Sequence, residues 1–184
     1  MTTYWPEKGK ANTEGTVKLA LEHARQLGLK DIVVASATGY SALMCLGNND
    51  LNIVCVTRQA GFKKPGEIEM DGAIRRRLEE GGIKVLTTTH LMAGLDRALR
   101  FSFQGIYPSE IIASTLRLFG QGTKVAVEVA GMALDAGLIP AGVDVIALGG
   151  SSEGTDTALV LRPAHSQDFF ATRIKEIICK PRDF

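Results

Sequence analysis

Two short segments rich in serine, threonine and glycine carry the residues best suited to hold a phosphate group. The first loop consists of Ser36, Ala37, Thr38, Gly39, Tyr40 and Ser41. The second loop runs from Gly149 to Thr157 and includes Gly149, Gly150, Ser151, Ser152, Thr155 and Asp156. Exposed backbone N–H groups and short hydroxyls bind phosphate oxygens. The same residue types also form ordinary turns, so either loop alone is weak evidence of a site. Both follow predicted strands, and we expect them at one edge of the sheet, where ligands bind in α/β folds.

The first loop joins an apolar strand directly to a predicted helix. Gly39 would let the backbone approach a ligand, and we expect an anion against the backbone of Thr38 to Ser41. Neither loop is an established nucleotide-binding signature, because the Gly-Lys-Ser/Thr of a P-loop is missing and no G-x-G-x-x-G follows a strand. The ligand class predicted from these residues is therefore a phosphate-bearing small molecule.

Three further residues are candidates for the same site. Thr57 ends a predicted strand, and His90 follows another strand toward the same edge. Glu128 lies within the apolar run Val125 to Val129. A carboxylate there is costly to bury unless it is paired, so we expect it either to reach the ligand edge or to pair with an arginine. No Ser-His-Asp or Cys-His arrangement is evident, and catalytic residues stay unassigned.

Strands and helices alternate along nearly the whole chain, which is typical of βαβ units and a mainly parallel sheet. The predicted strands are 31–36, 52–57, 83–86, 143–148 and 157–161. The predicted helices are 13–27, 38–46, one beginning at Asp71, two within 90–119, and 123–137, where strand-like alternation of valines competes with helical spacing. The turn between the last two strands is too short for a crossover, so the fifth strand should run antiparallel. The expected fold is an α/β three-layer αβα sandwich with a five-stranded sheet, formed as one domain over residues 1–184.

Composition excludes several classes of partner. The 184 residues carry a net charge of +1, which gives no field for nucleic acid or an anionic membrane. The three cysteines are far apart in sequence and form no C-x-x-C pair, so no metal site is predicted. No apolar stretch of signal-peptide length follows Met1 and no run approaches a membrane span. We therefore expect a cytoplasmic protein; whether it forms a homo-oligomer is left open.

Several motifs resemble the C-terminal domain of pyruvate kinase. The segment from Ile32 to Ala42 is similar to that domain's first strand and its Ser/Thr-rich loop, and the segment from Asn52 to Arg58 is similar to its second strand. The turn from Gly154 to Thr157 resembles a late Gly-x-Thr-Asn-Thr turn. Ala37 and Tyr40 stand where the family has lysine and arginine, so the family's sugar-bisphosphate effector is not expected.

Two further motifs resemble stand-alone members of this group, which consist of that domain without a catalytic barrel. They are Asn12-Thr13-Glu14 before the first helix and Arg162-Pro163-Ala164-His165 after the last strand. The resemblance implies bound flavin mononucleotide. We expect its phosphate on the first loop and its ring toward the second, where the adjacent glycines Gly149 and Gly150 leave room for a flat group. The loop 58–66 could fold over as a lid and bring Phe62 near the ring.

Two alternatives from other classes stay open. One is an enzyme acting on a small phosphorylated metabolite, with His90 or Glu128 as the acid or base. The other is a regulatory module that joins a separate partner chain.

The resemblance also predicts that this chain by itself has no pyruvate kinase activity. Phosphoryl transfer needs metal ligands and a cationic clamp on the moving phosphate, and in that family the barrel supplies them. A magnesium-dependent coupled assay with phosphoenolpyruvate and ADP should therefore detect no pyruvate above the background. Pyruvate formation at an enzymatic rate would contradict the expectation.

Overall fold

One seven-stranded sheet forms the centre of the protein in the computed structural model, which describes residues 1–184. The strands are β1 (Thr3–Glu7), β2 (Asp31–Ala35), β3 (Asn52–Val56), β4 (Lys84–Leu86), β5 (Val145–Gly149), β6 (Thr157–Arg162) and β7 (Arg173–Asp183). Their order across the sheet is β1-β7-β6-β5-β2-β3-β4. The five strands predicted from the sequence are all present, and β1 and β7 extend the sheet beyond them.

Strand direction follows the prediction. β5, β2, β3 and β4 pair in parallel, and so do β1 and β7. β6 pairs antiparallel with both of its neighbours, β5 and β7. The single antiparallel strand is therefore confirmed. β7 escaped prediction because its register against β6 shifts twice, which breaks the regular two-residue alternation that identifies a strand.

Six helices cover the two faces of the sheet. They are α1 (Thr13–Leu27), α2 (Tyr40–Leu43), α3 (Gly72–Glu80), α4 (Gly94–Phe103), α5 (Pro108–Arg117) and α6 (Gln121–Asp135). Helix α2 is shorter than the predicted 38–46, because the backbone after Leu43 continues as turns. None of the helices has the length and apolar character needed to cross a lipid bilayer.

Two apolar cores separate the three layers of the predicted αβα sandwich. Alternate residues of β2 point to opposite faces: Ile32 and Val34 belong to the core beneath α1 and α3, whereas Val33 belongs to the core beneath α5 and α6. Cys55 lies in the first core, as expected of a small buried residue, and burial raises its pKa to about 12.

Helix α6 is the most deeply buried helix, with twelve of its fifteen residues buried. It lies very close to the sheet at two glycines. A Cβ added to Gly149 on β5 would stand 2.7 Å from the amide nitrogen of Ala126 and closer still to the carbonyl oxygen of Gly122. A Cβ added to Gly122 would stand 2.6 Å from the Cβ of Thr157. The absence of a side chain at both positions therefore allows the start of α6 to lie directly against the end of β5 and the start of β6.

Replacing Gly122 with alanine should destabilise the fold because the added Cβ has no room. Overpacking of this kind costs about 1–3 kcal/mol, measurable by urea unfolding. The matched control is Gly72→Ala, where nothing lies within 4 Å of the added Cβ and φ is not positive. That change should leave stability unchanged or raise it by about 0.4–1 kcal/mol. Equal effects of the two substitutions would show that the close contact is not a constraint.

Candidate functional site at the strand ends

A cavity of about 510 Å³ opens beyond the carboxyl ends of β2, β3 and β5. We call it the strand-end cavity; its volume lies within the range of small-molecule sites. Its wall includes eleven of the predicted site residues: Ser36, Ala37, Thr38, Tyr40, Ser41, Thr57, His90, Glu128, Gly150, Ser151 and Ser152. The other four, Gly39, Gly149, Thr155 and Asp156, do not line it. The structure thus brings both loops to one edge of the sheet.

The first loop is held in shape by its own serines. Ser36 and Ser41 are buried, and the amide of Ser41 donates a hydrogen bond to Ser36 Oγ over 3.1 Å. The amides of Thr38 and Gly39 donate no hydrogen bond within the protein. Gly39 is buried and outside the cavity lining, whereas the free N–H of Thr38 and its exposed hydroxyl suit an anion. Because α2 has only four residues, its dipole adds little to this loop.

The role predicted for Gly39 changes in the structure. Its φ of 91° favours glycine, but an added Cβ would point into the core, where the side chain of Ile74 is closest and the side chains of Met70 and Leu78 follow at 3.5 and 3.6 Å. Gly39 therefore allows the loop to pack on α3, and it does not open a path for a ligand.

The second loop is packed more tightly than the sequence suggested. Gly149 and Gly150 were expected to leave room for a flat ligand group. That space is instead filled by protein backbone, because a Cβ on Gly150 would meet the carbonyl of Gly154 and one on Gly149 would meet α6. The part of this loop that faces the cavity consists of Gly150, Ser151, Ser152, Glu153 and Gly154.

Asp156 anchors the second loop to the N-terminal segment. Its carboxylate accepts hydrogen bonds from the amide of Gly9 at 3.0 Å, Ser151 Oγ at 2.7 Å and Thr157 Oγ1 at 2.9 Å. The neighbouring Thr155 is buried, and its amide donates to Thr13 Oγ1 over 3.2 Å. These two residues therefore shape the loop from behind the cavity wall.

Basic side chains line the cavity, and sequence reasoning missed most of them as site residues. Arg58 and Lys63 both pair with Glu69, at 2.9 and 2.8 Å. Arg97 on α4 and Arg117 on α5 have no carboxylate within ion-pair distance. Their sequence neighbourhoods carry no motif, and only the packing of α4 and α5 brings them to this wall.

An aromatic pair lies at the same wall. The rings of Phe62 and His90 have centroids 5.6 Å apart and are tilted by 52°. The guanidinium groups of Arg58 and Arg97 lie over the Phe62 ring at 4.8 and 5.4 Å from its centroid. The loop that carries Phe62 thus reaches the cavity, at the position that the sequence suggested for it.

Thr57 follows β3 and His90 follows β4, and both side chains form part of the cavity wall. The Thr57 hydroxyl lies 2.7 Å from the Thr87 hydroxyl, which ties the ends of β3 and β4 together. Burial lowers the pKa of His90, and the positive charges of Lys124, Arg97 and Arg58 lower it further, whereas Glu128 acts in the opposite direction. The net shift is downward, so the imidazole is neutral at pH 7.

A buried ion pair forms the floor of the cavity. Glu128 is 4% exposed and Lys124 is 7% exposed, and the two pair one helical turn apart on α6. Glu128 Oε1 also accepts a hydrogen bond from the amide of Met92 over 2.8 Å. Glu128 therefore both reaches the ligand edge and is paired, with lysine rather than the expected arginine as its partner. Burial lowers the pKa of Lys124, and the Glu128 carboxylate opposes this shift.

Comparison with known proteins identifies the fold family. The family model described as "Pyruvate kinase, alpha/beta domain" matches residues 14–161. Similar solved structures include a pyruvate kinase from Cryptosporidium parvum, with 20% identity and a TM-score of 0.42 over 83% of this chain and 23% of that one. A Cryptosporidium parvum pyruvate kinase in complex with ADP is 19% identical, with a TM-score of 0.41 over 92% of this chain and 24% of that one. This chain spans less than a quarter of the length of these enzymes.

Breaking the buried pair should destabilise the protein strongly. Glu128→Gln keeps an acceptor for the Met92 amide but leaves the Lys124 charge buried without a counterion, which costs about 3–5 kcal/mol. The double substitution Lys124→Met with Glu128→Gln should recover most of that loss in urea unfolding. The exposed pair Arg75–Glu79 has the same helical spacing, and Glu79→Gln should cost less than about 1 kcal/mol. A small effect at Glu128 would show that the pair is solvated.

Proposed function

The chain belongs to the pyruvate kinase alpha/beta domain family, and we propose that it binds a phosphate-bearing small molecule in the strand-end cavity, without pyruvate kinase activity. Flavin mononucleotide is the ligand we propose.

The proposal rests on the guanidinium groups of Arg97 and Arg117, which have no carboxylate partner; Arg117 Nε donates a hydrogen bond to the neutral Gln121 Oε1. Each of the other three cations of the cavity wall pairs with a carboxylate, with Arg58 and Lys63 sharing Glu69, so Arg97 and Arg117 are the two without a carboxylate partner. An arginine binds a phosphate through two charge-assisted hydrogen bonds. The same cavity offers the free amide of Thr38 at the first loop. A dianion in this cavity would thus find both charge and N–H donors.

Flavin mononucleotide fits the remaining chemistry of the wall. Phe62 and His90 provide flat side chains for a ring system, which replaces the glycines of the second loop as the expected ring contact. Ser151 and Ser152 line the cavity and offer hydroxyls to a polyol chain. A bound flavin would supply hydride or electron transfer, and these residues would bind and orient it.

A second candidate function is acid–base catalysis on a small phosphorylated metabolite. The specific observation that favours it is the position of His90 in the wall near the Lys124–Glu128 pair. Both Glu128 oxygens already accept hydrogen bonds, so the neutral imidazole of His90 is the better proton acceptor. Turnover that is lost on His90→Gln while ligand affinity is kept would support this function.

Titration of the apo-protein with flavin mononucleotide and with riboflavin, followed by flavin fluorescence, tests the proposal. The phosphate should make flavin mononucleotide bind at least tenfold more tightly, about 1.4 kcal/mol. Arg97→Gln and Arg117→Gln should each remove much of that preference, since each deletes a charge-assisted hydrogen bond. The control is Arg76→Gln, an exposed residue of α3 outside the cavity.

The result separates the ligand class from the ligand itself. Equal affinities for the two flavins would overturn phosphate recognition. If neither flavin binds, flavin mononucleotide is the wrong ligand. The broader proposal is then tested by measuring the binding of inorganic phosphate and of other phosphorylated compounds to the unmodified chain. The same measurements on the Arg97→Gln and Arg117→Gln variants should show weaker binding.

A further inference from the structure

The segment 95–119 exposes an unusual amount of apolar surface. Its large exposed apolar residues are Leu95, Leu99, Phe101, Phe103, Ile106, Ile111, Leu118 and Phe119. Helix α4 has no buried residue at all, although Leu95, Leu99 and Phe103 follow one another at the four-residue spacing of a helix face. Phe101 lies on the opposite side of α4, because it follows Leu99 by only two residues. We call the other seven side chains the α4–α5 apolar face.

Polar contacts, and no apolar core, attach α4 to the rest of the protein. The Asp96 carboxylate accepts a hydrogen bond from the amide of Ser109 over 2.9 Å, and Arg100 pairs with Glu110 at 2.7 Å. The leucines of α4 are left in solvent, with Leu95 81% exposed. An amphipathic helix normally buries its apolar stripe, so this stripe lacks its partner within the chain.

The size of the face indicates what kind of partner covers it. At roughly 200 Å² for a large side chain, the exposed fractions of these seven residues correspond to about 900 Å² of apolar surface. The largest patch on a typical monomer is about 300–600 Å². A standard protein interface buries about 800 Å² on each partner. The face is therefore too large for an ordinary monomer surface and large enough for a stable dimer.

We propose that the α4–α5 apolar face is the interface of a homodimer, in which it packs against the same face of a second copy of this chain. A two-fold axis brings identical patches together, and such an interface is the commonest in soluble oligomers. The stripe on α4 can pair antiparallel with its own copy, because residues four apart stack along one side of a helix.

The charges around the face permit self-association. Arg100 and Glu110 neutralise one another, and Arg97 and Arg117 line the strand-end cavity. The chain as a whole carries a net charge of only +1, so two copies repel one another weakly. Self-pairing of the face would bury the leucines and phenylalanines that the monomer leaves in solvent.

Analytical ultracentrifugation across a wide range of protein concentration tests the proposal. The unmodified chain should sediment with twice the mass of one copy, and Phe103→Lys should raise the dimer dissociation constant at least tenfold. Phe103 is 76% exposed, so the substitution should leave the monomer folded, as circular dichroism can check. The matched control is Phe170→Lys, which changes an equally exposed phenylalanine (80%) outside the face and should leave the dimer intact.

Two results would overturn the proposal. One is an unmodified chain that stays monomeric at every concentration, which would assign the face to a different protein. The other is a dimer that persists equally in Phe103→Lys and Leu95→Lys, which would place the interface elsewhere. Both measurements use the apo-protein, so neither result requires that the ligand of the strand-end cavity be known.

Discussion

The close approach of α6 to the sheet is the constraint on which the rest of the structure depends. Gly122 on the helix and Gly149 on β5 leave no space for a side chain between them. This contact brings the first turns of a nearly fully buried helix to the ends of the parallel strands. Lys124 and Glu128 thereby form the floor of the strand-end cavity. A buried ion pair by itself adds little to the stability of a fold, so its position in the cavity is the more informative feature.

The cavity combines rigid and less deeply anchored parts. Its floor and its two loops are held by internal hydrogen bonds, namely Met92 to Glu128 at the floor, Ser41 to Ser36 in the first loop and Gly9 to Asp156 behind the second. Its outer wall comes from Arg97 on a helix without buried residues and from Phe62 on an exposed loop. Segments with few buried contacts open most readily. A ligand would therefore enter past α4 and the loop that carries Phe62, while the floor keeps its geometry.

The proposed dimer and the proposed ligand site meet at α4. Arg97 lines the cavity, and the α4–α5 apolar face includes the leucines of the same helix. Anything that fixes the helix therefore also fixes one of the two cavity cations that have no carboxylate partner. If dimer formation orders α4, linkage requires that a bound anion strengthen the dimer to the same degree that the dimer strengthens anion binding.

The sequence alone determined the local features: the alternation of strands and helices, the single antiparallel β6, the helix predicted over 123–137 and found at Gln121–Asp135, and the two loops at one edge. These follow from periodicity, turn length and chain direction, which are properties of neighbouring residues. Only the tertiary structure decided what Gly39, Gly149 and Gly150 pack against, that Lys124 is the partner of Glu128, and that Arg97 and Arg117 reach the cavity. Each of these depends on contacts between segments far apart in the chain, and no local pattern records which residues such contacts bring together.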